Sequence, residues 1–153
     1  MDGLRLKLGA EAETIPGFLL WQVSKLWQRH LTLALQDLKL PSTQAVILAN
    51  VLRFSEEGLL VTQAMLARAT KVDRMTASQS LHSLELKRYV TRRLSPGDKR
   101  ANRVSLTAEG RRVALMAIKR FEATHRAFFE PLEEETEPVV RYLQRLIQAN
   151  ELA

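Results

Sequence analysis

The residues best placed to do chemistry lie in the stretch RRLSPGDKRANRVSLTAEG, residues 92–110. A Pro96-Gly97 turn signal is surrounded by Asp98, Lys99, Arg100 and Arg103, with Arg92 and Arg93 just before it. None of these can build a core, so the segment is either a solvated hairpin tip or a surface for an anion. Catalysis finds no comparable foothold. The histidines His30, His82 and His125 are scattered, and HExxH, P-loop and GxGxxG patterns are absent. Glu122-Ala-Thr-His125 has the Glu-x-x-His spacing of di-iron bundles, but such a site needs a second copy and two more carboxylates. The consecutive acids at 133–135 cannot share one helix face, which suits solvation better than metal binding. The expectation is a non-enzyme with no cofactor and no metal.

Charge supports an anion partner. The 153-residue chain carries a net +6, and its distribution is uneven. Residues 68–112 hold 12 Lys/Arg against 4 Asp/Glu, a balance of +8, so the remainder holds 11 against 13, or −2. A single block with all the excess positive charge is the footprint expected of polyanion binding, where phosphate contacts dominate affinity. Cysteine is absent, excluding disulfides, Cys-ligated zinc, iron–sulfur clusters and thiol sensing. No apolar run approaches the ~18 residues of a membrane span, and the N-terminus lacks a signal-peptide pattern. These features predict a cytoplasmic protein with no membrane partner.

The positioning elements follow from periodicity. After a loose arm (1–15), Leu19, Val23, Leu26, Trp27, His30, Leu31, Ala34 and Leu38 recur at helical spacing and predict one buried stripe. Pro41 stops that helix, and Ser42 or Thr43 can cap the next, which carries Ala45, Leu48, Ala49 and Leu52 and ends at Gly58. A short helix capped by Thr62, a turn at "TKV", and a longer helix capped by Asp73 then have the layout of a helix-turn-helix. Two alternating runs, YVTRRLS and NRVSL, predict a hairpin, and Thr107 starts another helix. A last amphipathic helix follows Pro131.

On the helix after Asp73, the buried edge is Ala77, Leu81 and Leu84. The opposite face holds Met75, Ser78, Gln79 and His82, flanked by Arg74 and Thr76. These side chains suit a major groove: Gln pairs with adenine, Arg with guanine, and Met or a Thr methyl packs on thymine. A recognition helix reads with its N-terminal residues, where Arg74 to Gln79 fall. The hairpin is then a wing lying over the minor groove or backbone. Arg100 at its tip is the candidate for groove insertion, with Asp98 orienting it or another basic neighbour. Lys99, Arg92, Arg93 and Arg103 are candidates for phosphate contacts or structural ion pairs.

Leu66-Ala67, Leu84-Glu85, Arg92-Arg93, Asp98-Lys99-Arg100 and Leu106-Thr107-Ala108-Glu109-Gly110 occur here in one order. Together they resemble the core of the multiple antibiotic resistance regulator (MarR) family, and the helix order extends the likeness over roughly residues 16–150. The resemblance implies a mainly α fold with a two-stranded β wing, ordered α-α-α-α-β-β-α-α, as an intertwined homodimer. Residues 16–54 and 107–150 would supply the dimerisation helices and 59–106 the winged helix-turn-helix lobe. It also implies a transcriptional regulator, usually a repressor, that binds a pseudo-palindromic operator in double-stranded DNA and is released by a small aromatic or phenolic effector. Arg100 would enter the minor groove, Asp98 would be its structural partner, and residues 74–82 would face the major groove. Family effector sites point to Trp27, His30, Leu31, Leu48 and Phe54, although such residues on an apolar stripe suit a core equally. The chain departs from the family at Arg88-Tyr89-Val90, where Gly-Leu-Val is common, and without cysteine it cannot belong to the thiol-oxidation branch. Phe18, Trp21, Phe128, Phe129, Leu132, Leu143 and Leu146 exceed what a small DNA-binding core needs, which independently favours a dimer. Two rivals remain: a winged helix that docks an acidic protein, and an architectural protein that binds duplex without selectivity.

Overall fold

The computed structural model describes residues 14–151 except Pro96, and describes no side chain at Ser95 or at 98–102. Helix α1 (Pro16–Ala34) opens with proline in its first turn, where the missing N–H has no intrahelical acceptor to lose. A 3-10 turn (Gln36–Leu38) leads into α2 (Ser42–Glu56). Then come α3 (Gln63–Thr70), α4 (Arg74–Leu86), β1 (Val90–Ser95), β2 (Asp98–Leu106) and α5 (Ala108–Phe129). A 3-10 segment (Glu130–Glu135), kinked at Glu133, joins α5 to α6 (Thr136–Asn150). The order is the expected one, mainly helical with a two-stranded wing.

Local chemistry fixes the helix starts around the wing. Thr62 Oγ1 accepts from the Met65 N–H at 3.3 Å, Asp73 Oδ1 from the Thr76 N–H at 2.8 Å, and Thr107 Oγ1 from the Gly110 N–H at 2.9 Å. All three caps satisfy orphan donors as the sequence predicts. Helix α2 differs: Pro41 occupies its N-cap, no side chain caps it, and Ser42 and Thr43 lie inside the helix.

Helix α2 is the central post. Ala45, Ile47, Leu48, Val51 and Leu52 are all buried; of the predicted stripe only Ala49 is half-buried, and Ile47 and Val51 widen the arc because α2 packs against α3, α4, β2 and α5. Around it gather Leu66 of α3, Leu81 and Leu84 of α4, Val90 and Val104 of the wing, and Val113, Ala114 and Ala117 of α5. The wing is antiparallel, with Val90 opposite Leu106, Arg92 opposite Val104 and Arg93 opposite Arg103. The Val104 N–H donates to Val61 O at 2.8 Å, so the approach to α3 adds a third short edge to the hairpin.

The predicted α1 stripe is covered only toward its C-terminal end. Leu19, Val23 and Leu26 are 40–52% exposed, whereas Leu31 and Leu35 farther along are covered. Trp27 and His30 lie against the α5 end through Phe128, with ring centroids 5.2 and 5.4 Å away. No residue of α6 is buried. Among the described residues, no helix is long and apolar enough to cross a membrane, and no group of three or more His, Asp or Glu is arranged to hold a metal.

Candidate nucleic-acid interface

Helix α4 is held by its back and leaves its front free. Ala77, Leu81 and Leu84 are fully buried, and Ser80 nearly so. On the other side Arg74, Met75, Gln79 and His82 are exposed, with Met75 70% accessible, and Ser78 is half-buried. An exposed methionine on an otherwise polar helix face offers apolar contact that its own chain does not use. Thr76 is more constrained. Its hydroxyl donates to Asp73 Oδ2 at 2.6 Å, so only its methyl and the oxygen's two lone pairs remain for a partner. The Thr76 hydroxyl first, and the Thr76 N–H next, hold the Asp73 carboxyl below the usual carboxylate range. The cap therefore stays ionised at neutral pH and complements the α4 N-terminus.

The far end of α4 is closed by a left-handed residue. The Arg88 N–H donates to Glu85 O and the Tyr89 N–H to Leu84 O, both at 2.9 Å, with Arg88 at φ 60°. This paired pattern is a Schellman cap. The departure at Arg88-Tyr89-Val90 thus leaves the helix end built as a glycine would build it. The turn then locks to α5. Thr107 donates its N–H to Tyr89 O at 3.0 Å and its hydroxyl to Arg88 O at 2.7 Å. A Cβ on Gly110 would lie 1.8 Å from Tyr89 O, so the Leu-Thr-x-x-Gly run is a joint that brings two backbones together.

The cations of the wing divide into two sets. Arg92 shares the inner face with Val90 and Val104, and its Nε and Nη2 donate to Glu85 Oε2 at 3.0 and 2.8 Å. Of the two roles foreseen for Arg92, the structure shows the ion pair. The Arg92 guanidinium is the main cause holding the Glu85 carboxyl below its usual range. Arg93 and Arg103 stand directly opposite each other on the outer face, both exposed. Neither has an ion-pair partner among the described residues. Like charges placed directly opposite repel, and an anion between them removes that cost. Gly97 turns the tip at φ 92°. Asp98, Lys99 and Arg100 begin β2, and their side chains lie outside the described residues.

The sequence singled out the α4 face and the wing but missed Glu85 as the anchor between them. Its only signal is a carboxylate in the last turn of one element and an arginine early in the next, seven residues on. Leu31 and Leu48, raised as effector-site candidates, are buried in the core.

Comparison with known proteins adds a separate line. A family model described as MarR family matches residues 38–101, from the 3-10 turn to the wing. The HTH-type transcriptional regulator YdcH of Bacillus subtilis (strain 168), itself uncharacterized, is 36% identical over 116 residues, 76% of this chain and 79% of its own. The chain belongs to the MarR family. It is therefore a winged-helix transcriptional regulator. Among solved MarR-like folds, Staphylococcus aureus MepR in complex with DNA matches with a TM-score of 0.79 at 22% identity, over 88% of this chain and 98% of that one. CouR from Rhodococcus jostii RHA1, bound to p-coumaroyl-CoA, gives 0.75 at 26% identity, over 92% and 94%.

Proposed function

We propose that this MarR-family chain binds duplex DNA sequence-specifically as a homodimer in the cytoplasm, represses transcription from a pseudo-palindromic operator, and is released by a small aromatic or phenolic ligand. The carrying observation is the exposed front of α4, Arg74 to His82, together with the facing Arg93 and Arg103 on the wing, which have no ion-pair partner among the described residues. One surface reads bases and the other neutralises phosphates. The likeness to MepR in its DNA complex and to CouR with a bound ligand supports both halves of the cycle. Gln79 and Arg74 read base edges, Met75 packs on a thymine methyl, and Ser78 and His82 complete the contact. Arg100, oriented by Asp98, enters the minor groove, and Lys99, Arg93 and Arg103 hold phosphates.

Selection of bound duplexes from a random library at roughly physiological salt tests this directly, since weak phosphate-only binding is suppressed there. The expected product is an inverted repeat with half-sites about 10 bp apart. With about eight phosphate contacts per dimer, log K falls against log salt with a slope near −7. Arg100→Ala weakens binding to all sequences, whereas Gln79→Ala mainly relaxes preference at one position, by about 1–3 kcal/mol of discrimination. Binding without any enriched sequence would instead describe an architectural protein.

A further inference from the structure

Glu85 is an electrostatic oddity. It lies one turn beyond His82 on the element that faces DNA, where a carboxylate repels phosphate. Yet it is held in place: Glu85 Oε2 accepts hydrogen bonds from both Nε and Nη2 of Arg92, at 3.0 and 2.8 Å. The pair crosses from the last turn of α4 to β1, around the left-handed turn at Arg88. The Arg92 side chain is only 19% exposed and Glu85 38%, so the contact sits in the crease between helix and wing, partly shielded from water. Arg93, one residue on, lies on the opposite face of the hairpin and is exposed.

We propose that the Glu85–Arg92 pair sets the angle between the α4 reading face and the wing, and that Arg92 is a positioning residue with no phosphate of its own. The inference rests on the DNA-binding reading above. A duplex is gripped at two places, by the front of α4 and by the Arg93–Arg103 face, and both engage at once only when their relative orientation matches the groove spacing. A planar guanidinium on one carboxylate oxygen fixes direction as well as distance, which a lysine cannot do.

The test compares wild type with Glu85→Met, Arg92→Lys and Arg93→Gln on the selected operator, measuring affinity from low to high salt. Glu85→Met removes a negative charge near phosphate, so simple electrostatics predicts tighter binding. Positioning predicts the opposite, a loss of about tenfold, as expected when one member of a coupled network is removed. Arg92→Lys keeps the charge and still weakens binding, and both variants keep the wild-type salt slope. Arg93→Gln lowers the slope by about two per dimer, one lost phosphate on each protomer. Tighter binding by Glu85→Met, or a slope that falls in Arg92→Lys, overturns the inference while leaving the regulator reading intact. A wild-type protein that selects no duplex overturns that reading, and the inference with it.

Discussion

At the scale of single residues, two helix ends of this chain make the same turn with different side chains. After α2 the Gly58 N–H donates to Ser55 O and the Leu59 N–H to Phe54 O, with Gly58 at φ 75°. After α4 the equivalent position is Arg88 at φ 60°. A non-glycine residue in that region costs about 1–2 kcal/mol. Two terms offset part of it: a cation near a helix C-terminus contributes about 0.3–1 kcal/mol when exposed, and glycine loses extra freedom on folding. The strain term is the larger, so Arg88→Gly should stabilise the protein by about 0.5 kcal/mol, a rise in melting temperature of about 1–2 °C. Arg88→Ala retains the strain and forfeits the dipole term, so its melting temperature should fall. Thermal denaturation of the two variants side by side checks the opposite signs; a fall in both would mean that the arginine side chain contributes something beyond charge.

At the scale of elements, the joint between the wing and α5 controls where the reading surfaces sit. Tyr89 O accepts the Thr107 N–H, and Gly110 lies so close that a methyl group there would overlap the carbonyl. Backbone cannot move aside as a flexible side chain can. Gly110→Ala should therefore force β1 away from α5 and destabilise the chain by about 2–4 kcal/mol, combining overpacking with a lost hydrogen bond. Denaturant unfolding measures the loss; a variant as stable as wild type would show that this close approach is dispensable. The Leu-Thr-x-x-Gly run was legible in the sequence as a pattern, but its physical reason lies in a carbonyl some twenty residues earlier, which no local period reveals. The caps at Thr62, Asp73 and Thr107 were legible because a cap is decided within four residues. The same rule misplaced the start of α2, where Pro41 supplies the geometry and no side chain is needed. Ile47 and Val51 were missed because a helix surrounded by neighbours buries more than one stripe. Arg92 left two roles open for a related reason: the Glu85 that claims it lies across a turn, outside both the helical and the strand period.

At the scale of the whole molecule, α6 poses a problem that the described residues of one protomer do not solve. Isolated helices of about 12–15 residues are marginal in water, and packing of an apolar face supplies most of their stability. Helix α6 has 15 residues, none buried, and packs mainly against the 3-10 segment before it. Its Val140, Leu143, Leu146 and Ile147 are 37–53% exposed. Helix α1 leaves Phe18, Leu19, Leu20, Trp21, Val23 and Leu26 similarly uncovered. The predicted α1 stripe was thus sound as a pattern, and its N-terminal half stays uncovered because no described element packs over it. Two apolar faces at the two ends of the sequence suit a two-fold interface in which the same surfaces meet their own copies. Leu146→Glu combined with Ile147→Glu should place charges in that interface and yield monomers by light scattering, while the core around α2, which neither residue touches, stays folded. Losing the second half-site converts a two-point grip into a single one, so operator affinity should fall by about 10²–10⁴-fold with half-site binding retained. A variant that remains dimeric and binds normally would remove α6 from the interface and leave its apolar face to another partner.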